Sequence, residues 1–226
     1  MWAIVPAAGR GVRMGRKKPG IALAGRPVLR WTLDVFEAMP AVLGVVVVVS
    51  PEDVAAWRRR LARCRKVRAV VAGGAERQES VARALAVVPS AARWIVVHDG
   101  VRPCITPALV AQVLAGARMT GAAVAALPVA ETLKRGAAGW VRETVARDGL
   151  WAVQTPQAFE AALLREAHRR AAAGAIVATD DAALVERLGA RVRLVPGLPG
   201  NVKITRPDDL LLARALLLAR RHRRTR

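Results

Sequence analysis

Residues 3–18, AIVPAAGRGVRMGRKK, constrain this chain more than any other stretch. A short apolar run, Ala3-Ile4-Val5, ends in Pro6 and then in a turn rich in Gly, Arg and Lys. A strand closing in such a turn gathers backbone N–H groups with no side chains in the way. Gly9 and Gly11 can adopt positive φ and admit a ligand close to the backbone. Arg10, Arg13, Arg16, Lys17 and Lys18 place five cations within nine residues. Together they suit a polyphosphate, with N–H groups cradling oxygens, guanidinium groups forking onto them and ammonium groups acting as point charges.

Spacing excludes two familiar phosphate loops. A P-loop needs four residues between its glycines and then Gly-Lys-Ser/Thr, which is absent. The dinucleotide pattern G-x-G-x-x-G fails because Gly15 comes one residue too late. That fold also wants an acid after its second strand, where residues 45–49 run into Ser50-Pro51 instead. Taken alone, the stretch also describes a surface turn in an arginine-rich chain, so the remaining sequence has to decide.

A chain of 226 residues with 54% hydrophobic content can bury a substantial core and is not disordered. No apolar run approaches the roughly 18 residues of a membrane span. No basic segment followed by a long apolar one opens the chain, and Cys64 and Cys104 are its two cysteines. A cytoplasmic location without disulfides is therefore expected. Neither cysteine has a partner at zinc-ligand spacing.

The net charge is +20, and removing the five arginines of 220–226 leaves +15. The excess is arginine scattered among Ala and Val, with no Tyr and two Phe to stack on bases. Nucleic acid is accordingly not the expected partner, and attraction of anionic small molecules accounts for the charge equally well. The tail at 220–226 is expected to be frayed and solvated.

Short β-branched runs alternate with longer helical stretches, the pattern of a mostly parallel sheet covered by helices on both faces. Strands are expected at 2–5, 44–49, 67–71, 94–97, 122–127 and 192–195, and helices at 28–38, 51–63, 76–87, 107–119, 160–173, 180–188 and 207–221. Residues 132–147, TLKRGAAGWVRETVAR, break the rhythm and read as a hairpin outside that sheet. Trp140 and Trp151 would give such an arm something to bury against a partner, although an ordinary surface hairpin has the same pattern.

Ligands of an open α/β sheet sit beyond the carboxyl ends of its strands, so the residues after each strand matter most. After the first come Ala7, Ala8, Gly9 and the cations. After the third come Gly73 and Gly74, with Ser80 near a helix start. After the fourth comes His98-Asp99-Gly100-Val101-Arg102, an acid and an arginine in a tight turn. Asp99 is the best carboxylate for Mg²⁺, and pairing with Arg102 is its structural alternative. His98 is expected to pack or bond locally. Thr179 or Asp180 caps a helix by default, with a substrate role for Thr179 as the sharper alternative. Lys203, between apolar neighbours, suits a second phosphate clamp. A polyphosphate loop, a metal carboxylate and several cations, without a nucleophile–base pair, point to phosphoryl or nucleotidyl transfer.

Eight segments, in order, make the resemblance specific: AAGRGVRM (7–14), GRPVL (25–29), GGAERQESV (73–81), HDGVRPC (98–104), PVAETLKR (128–135), RDGLWAVQTPQAF (147–159), TDDAALVE (179–186) and NVKITRPDDL (201–210). The sequence resembles the 2-C-methyl-D-erythritol 4-phosphate cytidylyltransferase family nearly end to end. The resemblance implies an α/β, Rossmann-like nucleotidyltransferase fold in one domain over 1–226, with a protruding β-arm at about 130–150. It implies CMP transfer from CTP to methylerythritol phosphate with Mg²⁺ and release of pyrophosphate. It also implies a homodimer whose exchanged arm completes the neighbouring site.

Carried across position by position, Arg13 and Lys18 would hold the CTP phosphates, Asp99 the metal, and Lys203 the transition state from the other face. Ala7, Ala8, Gly9, Gly11, Gly73, Gly74 and Ser80 would bind nucleotide. Arg102, Thr132, Thr155 and Thr179 would surround methylerythritol phosphate, and Arg147 would reach across the dimer. The rival within the class is a cytidylyltransferase for another polyol phosphate such as ribitol 5-phosphate. The rival outside it is a basic nucleic-acid-binding protein.

The chain departs from the family at Lys17-Lys18-Pro19-Gly20-Ile21, where the family has Pro-Lys followed by an apolar or aromatic pair and Leu. Counting back from Gly25-Arg26-Pro27 places Lys18 on the catalytic lysine, with Lys17 as a substitute. Anchoring on Pro19 would instead put Gly20 there.

Overall fold

The computed structural model describes residues 1–9, 11, 14 and 17–224. In chain order these form β1 (Trp2–Pro6), the short pair β2 (Ala22–Leu23) and β3 (Arg26–Pro27), α1 (Val28–Ala38), β4 (Gly44–Val49), α2 (Val54–Leu61) and β5 (Val67–Ala72). Next come α3 (Arg77–Val87), β6 (Trp94–Val97), α4 (Pro107–Thr120), β7 (Ala122–Pro128), and an arm of β8 (Leu133–Ala137) and β9 (Trp140–Val145). The chain continues through β10 (Trp151–Glu160), α5 (Ala161–Ala173), α6 (Asp181–Glu186), β11 (Val192–Pro196) and α7 (Pro207–Arg224).

Seven strands make one mixed, mostly parallel sheet in the order β11-β7-β10-β6-β1-β4-β5. β4 shows why a sheet covered on both faces reads as an unbroken apolar run. All six of its residues are buried. Val45, Val47 and Val49 pack with Leu33 and Phe36 of α1, Trp57 of α2 and Leu109 of α4. Val46 and Val48 pack on the other face with Val81 of α3, Leu164 of α5 and Leu184 of α6. A third cluster joins Ile21, Val101 and Ile204 to Ala213 and Leu217 of α7, which fixes the ligand-edge loops from below.

Three expectations are corrected. The helix expected over 51–63 is a 3-10 turn, Pro51–Asp53, followed by the shorter α2. The tail is not wholly frayed, because α7 continues to Arg224 and Arg220 donates to the carbonyl of Cys104 at 2.6 Å. The largest difference is β10, a ten-residue strand between β6 and β7 and antiparallel to both. A proline inside a run argues against a central strand. Here a register shift between Val153 and Gln157 accommodates Pro156, and the Thr155–Pro156 peptide is cis.

The arm forms the sheet of β8 and β9 alone, with Trp140 75% and Val141 64% exposed. Cys64 and Cys104 are buried free thiols, and burial pushes the Cys104 thiol up to about 11. Among the described residues no helix is long and apolar enough to cross a membrane.

Candidate active site

The loops leaving β1, β5 and β6 meet at the carboxyl edge of the sheet around a cavity of about 880 Å³. Ala7, Ala8, Gly9 and Lys18 line one side. Gly73, Gly74 and Ser80 line a second, and Asp99 with Lys203 a third. This is the position where open α/β sheets hold ligands.

The glycine-rich loop after β1 is pinned by Ala7 N–H on the Val48 carbonyl at 2.7 Å. Gly11 has φ 71°, in the left-handed region that favours glycine, whereas Gly9 does not lie there. Arg13, together with Arg10 and Arg16, lies outside the described residues.

The two lysines face different surroundings. Lys17 Nζ lies 2.7 Å from both Glu52 and Asp53, and these carboxylates, Asp53 foremost, raise its pKa. Lys18 opens the 3-10 turn Lys18–Gly20 and lines the cavity.

At the second loop, Ser80 Oγ accepts from Gly74 N–H at 3.1 Å and donates to the Glu76 carbonyl at 3.1 Å, closing the turn into α3. Glu79 reaches back to the Ala75 N–H at 2.7 Å. A Cβ at Gly73 would stand 2.3 Å from the Ala8 Cβ and 2.8 Å from Ser80 Oγ, so this residue lets the β1 and β5 loops touch. Gly73→Ala is therefore expected to cost about 2 kcal/mol through overpacking. Thermal unfolding reads this directly, and an unchanged midpoint would contradict the close approach.

Asp99 is 6% exposed and surrounded by cations. Its Oδ2 lies 2.8 Å from Lys203 Nζ and 3.7 Å from Arg102 Nε, and its Oδ1 lies 3.2 Å from Arg77 Nε. Burial opposes its ionisation, but Arg77, Lys203 and Arg102 outweigh burial and hold its pKa well below the usual carboxylate range.

The backbone beneath Asp99 is equally fixed. Its N–H donates to Thr155 Oγ1 at 3.0 Å, and Thr155 Oγ1 lies 3.0 Å from His98 Nδ1. His98 Nε2 meets the Arg102 carbonyl at 3.2 Å. A carbonyl can only accept, so Nε2 carries the proton and the Thr155 hydroxyl donates to Nδ1. Burial lowers the His98 pKa to about 4, which keeps the ring neutral, as this chain of bonds requires. His98 thus bonds locally, as expected from the sequence. Thr155 is buried, and its one proton is committed to His98.

Lys203 is carried by a loop tied to β10. Gln154 accepts from Asn201 Nδ2 at 3.1 Å, and Asn201 Nδ2 also reaches the Thr155 carbonyl at 2.7 Å. Arg102 donates to the Asn201 carbonyl at 2.8 Å. Thr132, Arg147 and Thr179 are exposed, and Arg147 bonds the Ala130 carbonyl at the base of its own arm. Asp180, not Thr179, caps α6 by accepting from Ala183 N–H.

One residue at the centre was missed by sequence reasoning. Arg77 bridges Asp99 and Asp181 from the first position of α3. A cation in the first turn opposes the helix dipole, and that mismatch was the available signal.

The model of the family described as IspD, 2-C-methyl-D-erythritol 4-phosphate cytidylyltransferase, matches residues 1–219. A cytidylyltransferase of that description from Pelotomaculum thermopropionicum is 44% identical, over 98% of this chain and 95% of its own. Another, from Desulforamulus reducens, is 42% identical over 96% of each chain. Among solved structures, the Thermus thermophilus enzyme of the same name superposes with TM-score 0.80 at 40% identity, covering 95% of this chain and 97% of its own. The Francisella tularensis enzyme superposes with TM-score 0.84 at 30% identity, covering 95% and 98%. The chain belongs to the IspD family of 2-C-methyl-D-erythritol 4-phosphate cytidylyltransferases.

Proposed function

We propose that this chain transfers CMP from CTP to 2-C-methyl-D-erythritol 4-phosphate, giving 4-diphosphocytidyl-2-C-methyl-D-erythritol and pyrophosphate in isoprenoid biosynthesis. The observation that carries this reading is the convergence of a glycine-rich loop, Lys18, an ionised Asp99 and Lys203 on one cavity. An oxygen of the 4-phosphate attacks the α-phosphorus of CTP as the bond to the β-phosphate bridging oxygen breaks. No covalent enzyme intermediate is needed, because charge neutralisation and alignment lower the barrier.

On this reading Lys18, with Arg13, holds the triphosphate, and Ala7, Ala8, Gly9 and Gly11 give it a backbone cradle. Gly73, Gly74 and Ser80 face the cytidine. Lys203 stabilises charge on the side of Asp99, while Arg102, Thr132, Thr155 and Thr179 serve the methylerythritol phosphate end. The carboxylate that would hold Mg²⁺ or another divalent cation is Asp99, ionised on the cavity wall, and the cation would take its place beside Arg77 on Oδ1 and Lys203 and Arg102 on Oδ2. Among the described residues no cluster of three or more His, Cys, Asp or Glu could cage one, so substrate oxygens would complete its shell. When bound, the cation would neutralise charge on the triphosphate. A cytoplasmic location belongs to the same proposal.

Phosphorus NMR tests the bond made. A diphosphate product together with pyrophosphate is expected, and CDP with a doubly phosphorylated polyol would instead mean transfer of the γ-phosphoryl group.

The exposed arm supports a homodimer in which each arm completes its neighbour's cavity, since Thr132 and Arg147 do not line the cavity of their own chain. Arg147→Ala and Lys18→Ala should each be nearly inactive. Mixed equally and refolded together, they should regain about one quarter of native activity, because half the dimers are hybrids with one intact site. Absence of recovery in verified hybrids would contradict the exchange.

A further inference from the structure

We propose that Arg77 is a positioning residue of this site, and that His168 and Asp181, neither of which lines the cavity, set its orientation. This rests on the cavity being the site of nucleotidyl transfer. The guanidinium of Arg77 spans two carboxylates on separate elements. Its Nε lies 3.2 Å from Asp99 Oδ1 and its Nη1 2.7 Å from Asp181 Oδ2. Behind Asp181, at the start of α6, His168 of α5 places Nε2 3.0 Å from the other carboxylate oxygen, Oδ1. Asp181 is 1% and His168 7% exposed. A carboxylate only accepts, so His168 Nε2 carries its proton toward Asp181.

Asp181 is not spent on capping its helix, because Asp180 does that. Both its oxygens are engaged in this chain, one by His168 and one by Arg77. A buried ionic chain of this kind is weak evidence for stability, since apolar residues of similar volume commonly serve as well. What it supplies is geometry. Arg77 fixes Oδ1 of Asp99 while Lys203 takes Oδ2 at 2.8 Å, so the rotation of that carboxylate, and through it the placement of Lys203, depends on where Arg77 is held. Lysine cannot replace it, because a single ammonium lacks the fork that reaches both carboxylates. Arg77 Nη2 is buried without a partner among the described residues, so no further bond outside the two carboxylates holds the group.

The test compares pyrophosphate release, per folded subunit, by native protein, Arg77→Lys, His168→Leu, His168→Gln and the Arg77→Lys/His168→Leu double variant. Arg77→Lys should lower kcat about 100-fold. His168→Leu should lower it about tenfold, with KM for CTP within about twofold of native. His168→Gln keeps an N–H donor for Asp181 and should recover most of that loss. In the Arg77→Lys background His168→Leu should add less than about twofold, because the path is already broken. A crystal structure of His168→Leu gives a readout independent of turnover, in which Arg77 should leave Asp99 Oδ1. Unchanged kcat with only a lower unfolding midpoint, independent effects in the double variant, or an unmoved Arg77 would each overturn the proposal. An inactive native protein would remove the reaction assigned above, while the position of Arg77 in His168→Leu would still decide this one.

Discussion

Asp99→Asn should retain about one part in a thousand of native turnover. The amide keeps the shape of the carboxylate but leaves Lys203, Arg77 and Arg102 without the charge they share. The loss of a preorganised electrostatic partner at a charge-building step typically costs a factor of about 10² to 10³, and here the proposed cation ligand goes with it. Folding suffers as well. Breaking a buried ion pair from one side costs about 3–5 kcal/mol, and the partial exposure of Lys203 and Arg77 brings the expectation down to about 2 kcal/mol.

The pH dependence has a definite sign. The folded-state pKa of Asp99 is depressed, so its stabilisation is fully present above its unfolded value, about 3.9, and fades as pH falls toward the folded value. The difference in stability between native protein and Asp99→Asn should therefore be constant from about pH 7 to about pH 5 and shrink below about pH 4. A gap that widened with acid would contradict the ionised state assigned to Asp99.

The second large effect separates two adjacent lysines. Lys18→Ala is expected to lower kcat by about 10³, whereas Lys17→Ala should change it by less than about threefold. The reason is direction. Lys17 is exposed and held by Glu52 and Asp53, an interaction that contributes little in water. Lys18 stands on the cavity wall with Ala7, Ala8 and Gly9, where the proposed triphosphate would lie. Steady-state kinetics on the two single variants decides between them. A severe loss in Lys17→Ala with a mild one in Lys18→Ala would mean that the loop rearranges on binding CTP and that Lys17 takes the catalytic place.

How much of the fold is legible in the sequence depends on which physical signals are local. The apolar runs of β1 and β4, the Thr106 cap with Pro107 at the start of α4, and the Gly-rich turn after β1 are written in neighbouring residues. β10 is not, because Gln154, Thr155, Pro156 and Gln157 break every strand pattern. The bonds those polar side chains make go to distant partners, such as Asn201 and Leu198 on Gln154 and Asp180 on Gln157.

The site shows the same division. Asp99 and the Gly73–Gly74 turn are legible because they stand directly after strands, and Lys203 because it is a lone cation between apolar neighbours. Arg77 sits in the GGAERQESV segment but acquires its meaning from Asp181, far along the chain, and from His168 behind it. Thr155 was expected around the substrate. Its burial and its bonds to Asp99 N–H and His98 add a role in holding the loop beneath Asp99.

Pyrophosphate release with CTP and Mg²⁺, run in parallel with methylerythritol phosphate and with ribitol 5-phosphate, decides both the reaction and its acceptor. Release with methylerythritol phosphate and none above background with ribitol 5-phosphate is the predicted result. Release with ribitol 5-phosphate alone, or with neither, would contradict it.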